Sequence, residues 1–245
     1  MISFFRKHTS HLKTNWFSYG LDTIVVIVGI LIALAVSNWN EKRKLKKTEI
    51  EMLQSFIEDL ELDLSDLKQN YIMHQRAHQS ARIVLHHLTT NKAYNDSLAI
   101  HIGNSLIFTF FIESSSSYET FKSVGVHLIS NKNLRESIIK LYELYYAQLI
   151  ETQRLVEDEI HTAHKTIFNS WFEEYWTYNF SSPKFTDKVV PLNYKSLAND
   201  KEFMYFYKSL TNIQESLAEV IIKNVINNNK KLIKNIKTEI EYLSN

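Results

Sequence analysis

Residues 22–47 read DTIVVIVGILIALAVSNWNEKRKLKK, an apolar run that begins with a carboxylate and ends in a cluster of lysine and arginine. Its strictly apolar part has 14 residues, or about 21 Å of helix, which is short for a hydrocarbon core of about 30 Å. Extension to Trp16 and Trp39 gives 24 residues and about 36 Å, with interfacial aromatic residues at both ends. The run therefore predicts a transmembrane helix over residues 16–40, preceded by a basic tail over residues 1–15.

Two other interpretations of the run are a buried core helix and a cleaved signal peptide. The apolar segment begins about 20 residues into the chain, and the following SNWNEKRK offers no convincing small-residue cleavage site. We therefore favour an uncleaved membrane anchor. Residues 42–47 hold five Lys or Arg and the N-terminal tail holds three, so the positive-inside rule predicts a cytoplasmic C-terminal body.

Four residues share one stripe of the predicted transmembrane helix. Asp22, Gly29, Ala33 and Ser37 follow one another at spacings of seven, four and four. Small side chains at such spacing allow two helix backbones to approach closely in lipid, which predicts a helix–helix interface. The alternative role of Asp22 is local: at headgroup depth, its carboxylate caps backbone N–H groups and complements the helix dipole.

Composition limits the remaining possibilities. The chain of 245 residues has no Cys, which excludes disulfides, thiolate catalysis and Cys-ligated zinc. Residues 1–47 hold eight basic and two acidic residues, which leaves 20 basic and 25 acidic residues in the remainder. This acidic body argues against nucleic acid as a partner, whereas the basic excess lies where anionic lipid headgroups would be. Only four Gly and two Pro are present, which favours long helices.

The body over residues 41–245 reads as an all-α, elongated helical bundle with coiled-coil character that continues from the membrane helix. Three long helices are predicted, over residues 53–88, 132–175 and 200–243, with shorter ones over 97–111 and 116–124. Asn131 or Asn133 is expected to cap the second long helix, and Asp200 the third. Gly125 is placed to end a short helix, and residues 180–199 to form a loop. The predicted core stripe of the first long helix consists of Leu53, Ile57, Leu60, Leu64, Leu67, Tyr71, His74, His78, Ala81, Leu85 and Leu88.

Two segments carry a family resemblance. GILIAL (Gly29–Leu34) with NWNE (Asn38–Glu41), followed later by SYETFKSVG (Ser117–Gly125), resembles a bacterial family of unknown function made of small single-pass membrane proteins. Members of that family typically carry Glu where this chain has Asp22. The resemblance implies a single-pass location in a bacterial inner (cytoplasmic) membrane and a helical fold over most of the chain. It carries no established activity, so it implies no catalytic residue.

Histidine pairs are the only metal-like pattern, and we expect no metal and no cofactor. His74 and His78 are four residues apart, and His161 and His164 are three apart, so each pair shares a helix face and could hold an ion. The alternative is that these histidines form polar layers that set helix register or face solvent. GxxxxGK[ST], GxGxxG, GxSxG and HExxH are all absent. The aromatic run over residues 168–180 is either a ligand or interface patch or, more commonly, core.

The sequence therefore favours a membrane-anchored interaction or scaffold module, without catalysis, that contacts the lipid bilayer. Its expected protein partner is a second copy of itself or another membrane protein. A membrane-bound ligand sensor, with the aromatic run as its pocket, is the alternative. A metal-dependent enzyme is the third possibility.

Overall fold

A computed structural model describes the backbone of residues 3–90, 92–176 and 188–245, and the side chains of residues 19–90, 92–174 and 189–245. The side chains of the predicted basic tail, and that of Trp16, lie outside the described residues. The chain divides into two units, residues 1–51 and residues 52–245. The described part is overwhelmingly helical, so the predicted all-α class is confirmed.

The helices in chain order begin with α1 (Ser3–Thr89), α2 (Asp96–Ser105) and α3 (Ser116–Val124). The next helical stretch comprises α4 (Lys132–Lys140), a π-helical turn (Leu141–Tyr146), α5 (Ala147–Ala163), a second π-helical turn (His164–Phe168) and α6 (Asn169–Trp171). Strands β1 (Phe172–Trp176) and β2 (Lys188–Pro191) follow. The chain closes with α7 (Tyr194–Leu197), α8 (Lys201–Glu215), a third π-helical turn (Ser216–Ile222) and α9 (Lys223–Ser244).

In the first unit, α1 leaves its apolar side chains exposed on every face. The large apolar residues from Tyr19 to Trp39 are between 46% and 66% exposed. An 18-residue window here has a mean hydropathy of 2.4, and none of it is buried. By length and composition, α1 is therefore able to cross a membrane.

In the second unit, the buried face of α1 differs from the predicted stripe at every second position. The positions Leu53, Leu60, Leu67, His74, Ala81 and Leu88 are buried as expected. The intervening buried residues are Phe56, Asp63, Asn70, Ala77 and Val84, each one position before the predicted Ile57, Leu64, Tyr71, His78 and Leu85. The prediction followed apolar residues, whereas two of these intervening buried positions, Asp63 and Asn70, are polar.

The second long helical stretch begins as predicted and ends early. The side chain of Asn131 caps it by accepting a hydrogen bond from the backbone N–H of Leu134 at 3.2 Å. The helical period of the sequence predicts Tyr145 and Thr152 on the core stripe of this stretch. Tyr146 lies in the first π-helical turn, which inserts an extra residue, and it is buried in place of Tyr145. Gln153 is buried in place of Thr152. The helix ends at Trp171 rather than at residue 175.

The third long stretch spans residues 201–244, and Asp200 caps it through the backbone N–H of Phe203 at 2.7 Å. The helical period of the sequence predicts Val220 on the core stripe of this stretch. Val220 is instead 64% exposed, whereas Ala218 and Ile222 are buried. The π-helical turn Ser216–Ile222 accounts for this rotation.

A two-stranded sheet replaces part of the predicted loop and the end of the predicted helix. β1 pairs antiparallel with β2, with Tyr175 opposite Val189 and Phe172 opposite Pro191. The connection over residues 177–187 lies outside the described residues. Pro191 has no N–H to donate, which suits it to the last position of a short edge strand.

Helix α2 is also shorter than predicted, because it ends at Ser105 and not at residue 111. Residues 107–115, which we term the linking segment, carry no helix. The segment is rich in aromatic and β-branched residues, which lower helix propensity. Helix α3 follows over Ser116–Val124 as predicted, and Gly125 ends it with a φ of +113°, a conformation that favours glycine.

Candidate functional site

Side chains from two helices hold the backbone of the linking segment. The amide Nε2 of Gln214 donates to the carbonyl oxygens of Ser105 at 3.3 Å and Ile107 at 3.0 Å. The carbonyl Oε1 of Gln153 accepts a hydrogen bond from the backbone N–H of Phe111 at 2.9 Å. A non-helical segment inside a helical bundle has no ladder partners, so these buried glutamines replace them.

Carboxylates of α1 hold the end of the same segment. Asp63 Oδ1 accepts from the backbone N–H of Ser114 at 2.7 Å, and Asp59 Oδ2 accepts from that of Ser117 at 2.9 Å. Burial raises the pKa of Asp63, although hydrogen bonds from Ser114 and Tyr146 act in the opposite direction. The segment that carries the family resemblance, Ser117–Gly125, therefore begins on a contact with α1.

A continuous polar chain runs through the core beside these contacts. His74 Nδ1 lies 2.6 Å from Gln214 Oε1, and His74 Nε2 lies 2.8 Å from Thr109 Oγ1. Gln153 Nε2 donates to Thr109 Oγ1 and to Asn70 Oδ1, both at 2.9 Å. The Oε1 atom of Gln214 is an amide oxygen, so it accepts a hydrogen bond from His74 Nδ1–H. The other ring nitrogen, His74 Nε2, therefore accepts from the hydroxyl of Thr109.

Except for His74, the sequence did not lead us to predict these polar residues in the core. Asn70, Gln153 and Gln214 are buried in the core. A signal was present on α1, where Asp63, Asn70 and His74 follow at spacings of seven and four, which is one helix face. A polar residue at regular spacing on a core face indicates a buried network that must be satisfied as a unit.

The four residues of the predicted transmembrane interface, Asp22, Gly29, Ala33 and Ser37, are all exposed in the first unit. A Cβ atom placed on Gly29 would meet no atom within 4 Å. The surface is therefore open to lipid or to a second helix.

The predicted histidine pairs have protein partners of their own. Both ring nitrogens of His74 are engaged in the core chain, and His78 Nδ1 lies 3.0 Å from the carbonyl oxygen of Thr211. His161 lies 3.5 Å from a carboxylate oxygen of Glu157. The ring of His164 packs 5.2 Å from that of a neighbouring phenylalanine. Across the described ranges, no three His, Asp or Glu side chains form a group able to hold a metal ion.

Two phenylalanines in the described part of the aromatic run belong to the core. Phe168 and Phe172 are buried, and their rings lie 5.6 Å and 6.1 Å from that of Phe203. Phe206 and Tyr207 complete the same cluster. The rest of the run, from residue 175 to 180, has side chains outside the described residues.

A family comparison covers both the apolar run and most of the helical body. The family of unknown function DUF6090 matches residues 22–205. The chain belongs to this family. The match includes all four predicted interface residues, the linking segment and Ser117–Gly125, and it stops within α8. No curated protein and no solved structure matches the chain.

Proposed function

We propose that this DUF6090 protein is a membrane-anchored helical interaction module that self-associates or forms part of a larger membrane assembly. One observation supports it above the others: the apolar side chains of α1 from Tyr19 to Trp39 are exposed all around the helix. Such a surface in water would be unfavourable at about 25 cal/mol per Å² of apolar area. Lipid removes this cost without any contact from the rest of the chain.

The burial pattern argues against the core-helix interpretation. A core helix of a soluble protein passes the same length and hydropathy test, but it is mostly buried, whereas none of this window is. A cleaved signal peptide is the competing interpretation of the apolar run.

The proposed location is a bacterial inner membrane, with the C-terminal body in the cytoplasm. Its support is the charge asymmetry, since Lys42, Arg43, Lys44, Lys46 and Lys47 directly follow the apolar run. These cations would lie beside anionic headgroups.

Self-association is proposed to involve the face that contains Gly29, Ala33 and Ser37. Lipid tails are as apolar as leucine, so association in a membrane depends on close packing rather than on the hydrophobic effect. Gly29 offers the closest backbone approach on this surface, because nothing in the first unit covers it.

The proposal includes no catalytic step. Buried polar side chains that could take part in chemistry, such as His74 and Gln153, form hydrogen bonds with other residues of the chain. These hydrogen bonds hold the linking segment in place.

Extraction of membranes tests the anchor. Full-length protein is expected to remain in the membrane pellet after washing with high salt and again at alkaline pH, because neither treatment removes a transmembrane helix. Mass measurement of the amino terminus distinguishes an anchor from a signal peptide, since a cleaved signal would shorten the chain. Release of intact protein by either wash would contradict the proposal.

A ligand sensor is the second candidate function. The observation that favours it is a cavity in the second unit.

A further inference from the structure

A cavity of about 620 Å³ lies beside the last turn of α1. Residues 87–88 and 92–94 form one part of its described wall, and residues 192–195 and 198 form the other. Pockets that bind small organic molecules typically measure about 300–1,000 Å³. No residue of the aromatic run that suggested a ligand pocket is among the described lining residues, and the cavity lies within a single unit of the chain.

Two tyrosines that line this cavity differ in one respect. Their rings lie 5.3 Å apart at an angle of 56°. The hydroxyl of Tyr94 donates to the carbonyl oxygen of Val189 at 2.6 Å, which ties it to β2. The hydroxyl of Tyr194 is buried and has no hydrogen-bond partner among the described residues. A buried hydroxyl without a partner is costly, so Tyr194 is positioned for a partner that the chain does not supply.

A second unpaired polar atom lines the same cavity. His87 Nδ1 is buried and also lacks a partner in the described part of the chain. Burial, together with the nearby Lys92, lowers the pKa of His87, so the ring is neutral at pH 7. A neutral ring can donate from Nδ1 when that nitrogen carries the proton. Burial likewise raises the pKa of Tyr194, which keeps its hydroxyl a donor.

The charges of the lining have one sign. Among the described lining residues, Lys92 and Lys195 are cationic and no carboxylate is present. The ammonium of Lys92 lies 3.2 Å from His86 Nε2. The remaining wall is largely apolar, with Leu88 and Leu192 among its residues. One unpaired hydroxyl donor, one unpaired ring nitrogen, two cations and apolar walls together select an anion with an apolar body.

We infer that this cavity is a binding site for a small organic carboxylate with an apolar body, in which the hydroxyl of Tyr194 donates to the carboxylate. Lys92 and Lys195 supply the favourable potential at the site. The aliphatic and aromatic walls hold the apolar part of the ligand. This inference is independent of the anchor proposed above, because every residue that carries it belongs to the second unit.

Binding is measured with full-length protein in a non-ionic detergent, by equilibrium dialysis against empty micelles. Two probes, 2-naphthoate and decanoate, distinguish an aromatic from an alkyl body, and 2-naphthamide is the neutral control. We expect saturable binding of at least one acid with a stoichiometry of one per chain. We expect binding of the amide to be at least about tenfold weaker, because it lacks the charge that the donors and lysines favour. Absence of saturable binding of both acids would overturn the inference.

The two tyrosines form a matched pair of variants. Tyr194→Phe removes a hydroxyl without a protein partner, so the thermal midpoint without probe should stay the same or rise. The same change should weaken binding of the acid by about tenfold, the usual scale for a hydrogen bond to a charged group. Tyr94→Phe removes the bond to Val189, so it should lower the thermal midpoint. Unchanged acid affinity in Tyr194→Phe, or a lowered midpoint there, would contradict the assigned role.

A lysine pair tests the electrostatic part. Lys195→Glu places a carboxylate on the cavity wall and should weaken binding of the acid by tenfold or more, with little effect on the amide. Lys208→Glu makes the same charge change on an exposed position of α8 that does not line the cavity. Equal effects of the two variants would show that only net charge matters, which would contradict a site at this cavity.

Discussion

His74 and Gln214 lie 140 residues apart in the sequence, and their side chains meet in the core with 2.6 Å between Nδ1 and Oε1. This contact joins α1 to α8 and continues through Thr109 into the linking segment. In this row of hydrogen bonds, the donor and acceptor of each bond are determined by the neighbouring bond. The neutral imidazole is therefore part of the structure, and its protonation would place a second N–H against the Thr109 hydroxyl.

The first prediction concerns pH. Burial lowers the pKa of His74 in the folded protein, and its hydrogen bond with Gln214 only partly offsets this. Below the unfolded value of about 6.5, the unfolded chain takes up a proton that the folded chain does not. The free energy of unfolding should therefore fall as pH decreases from about 7 to 5.

His74→Gln should reduce this acid dependence, measured as the change in thermal midpoint by circular dichroism of the full chain in mild detergent. His127→Gln, at an exposed histidine, is the control and should retain the wild-type dependence. An unchanged pH dependence in His74→Gln would show that the buried ring does not govern acid stability.

The second prediction compares neighbouring positions on α5. Gln153→Leu leaves the N–H of Phe111 and the side chain of Asn70 without their partners. The cost should be about 2–6 kcal/mol for these two groups, given about 1–3 kcal/mol per unsatisfied buried group. Thr152→Val removes only a hydroxyl that donates to the carbonyl oxygen of Gln148 at an exposed site, so its cost should stay within about 0.5 kcal/mol. Chemical denaturation of both variants decides, and similar losses would remove Gln153 from its proposed role.

The sequence predicted elements where one signal dominated. Asn131 and Asp200 cap their helices as expected, because a short polar side chain before an apolar period is a local signal. On α1, the apolar pattern predicted Ile57 and Leu64 on the buried face, where the structure has Phe56 and Asp63 instead. Burial of Asp63 depends on the backbone N–H of Ser114, a partner that lies 51 residues away and that no local pattern contains.

Of the two candidate sites, one was predictable from the sequence and the other was not. The apolar surface of α1 was evident because membrane hydropathy is a property of consecutive residues. The cavity was missed because Tyr94 and Tyr194 come from separate segments, and their ring contact exists only after folding. The unpaired state of a hydroxyl is likewise invisible in a sequence.

The third prediction concerns the body alone. Removal of the chain before about residue 45 should leave a soluble, predominantly helical protein, because residues 52–245 form a unit of their own. Circular dichroism and size-exclusion chromatography report this directly. A spectrum dominated by strand, or aggregation without detergent, would contradict it.

The fourth prediction concerns self-association of the apolar helix. Gly29→Leu should weaken it by about 1–2 kcal/mol, because a larger side chain separates the two backbones. Leu31→Ala should have little effect, since residue 31 lies about 200° around the helix from residue 29. Crosslinking of the two variants in membranes measures the difference. Equal association in both variants would exclude the face that contains Gly29 as the interface.

Membrane insertion of two matched lysine variants tests the anchor most directly. Leu31 and Leu45 are leucines of α1 with similar exposure, 59% and 61%, but only Leu31 lies inside the apolar run. A lysine at the centre of a membrane helix costs about 2.5–3.5 kcal/mol on insertion scales. Leu31→Lys should therefore lower the fraction of protein that resists alkaline extraction, whereas Leu45→Lys, among the basic flanking residues, should leave it unchanged. Equal extraction of the two variants would contradict a transmembrane anchor.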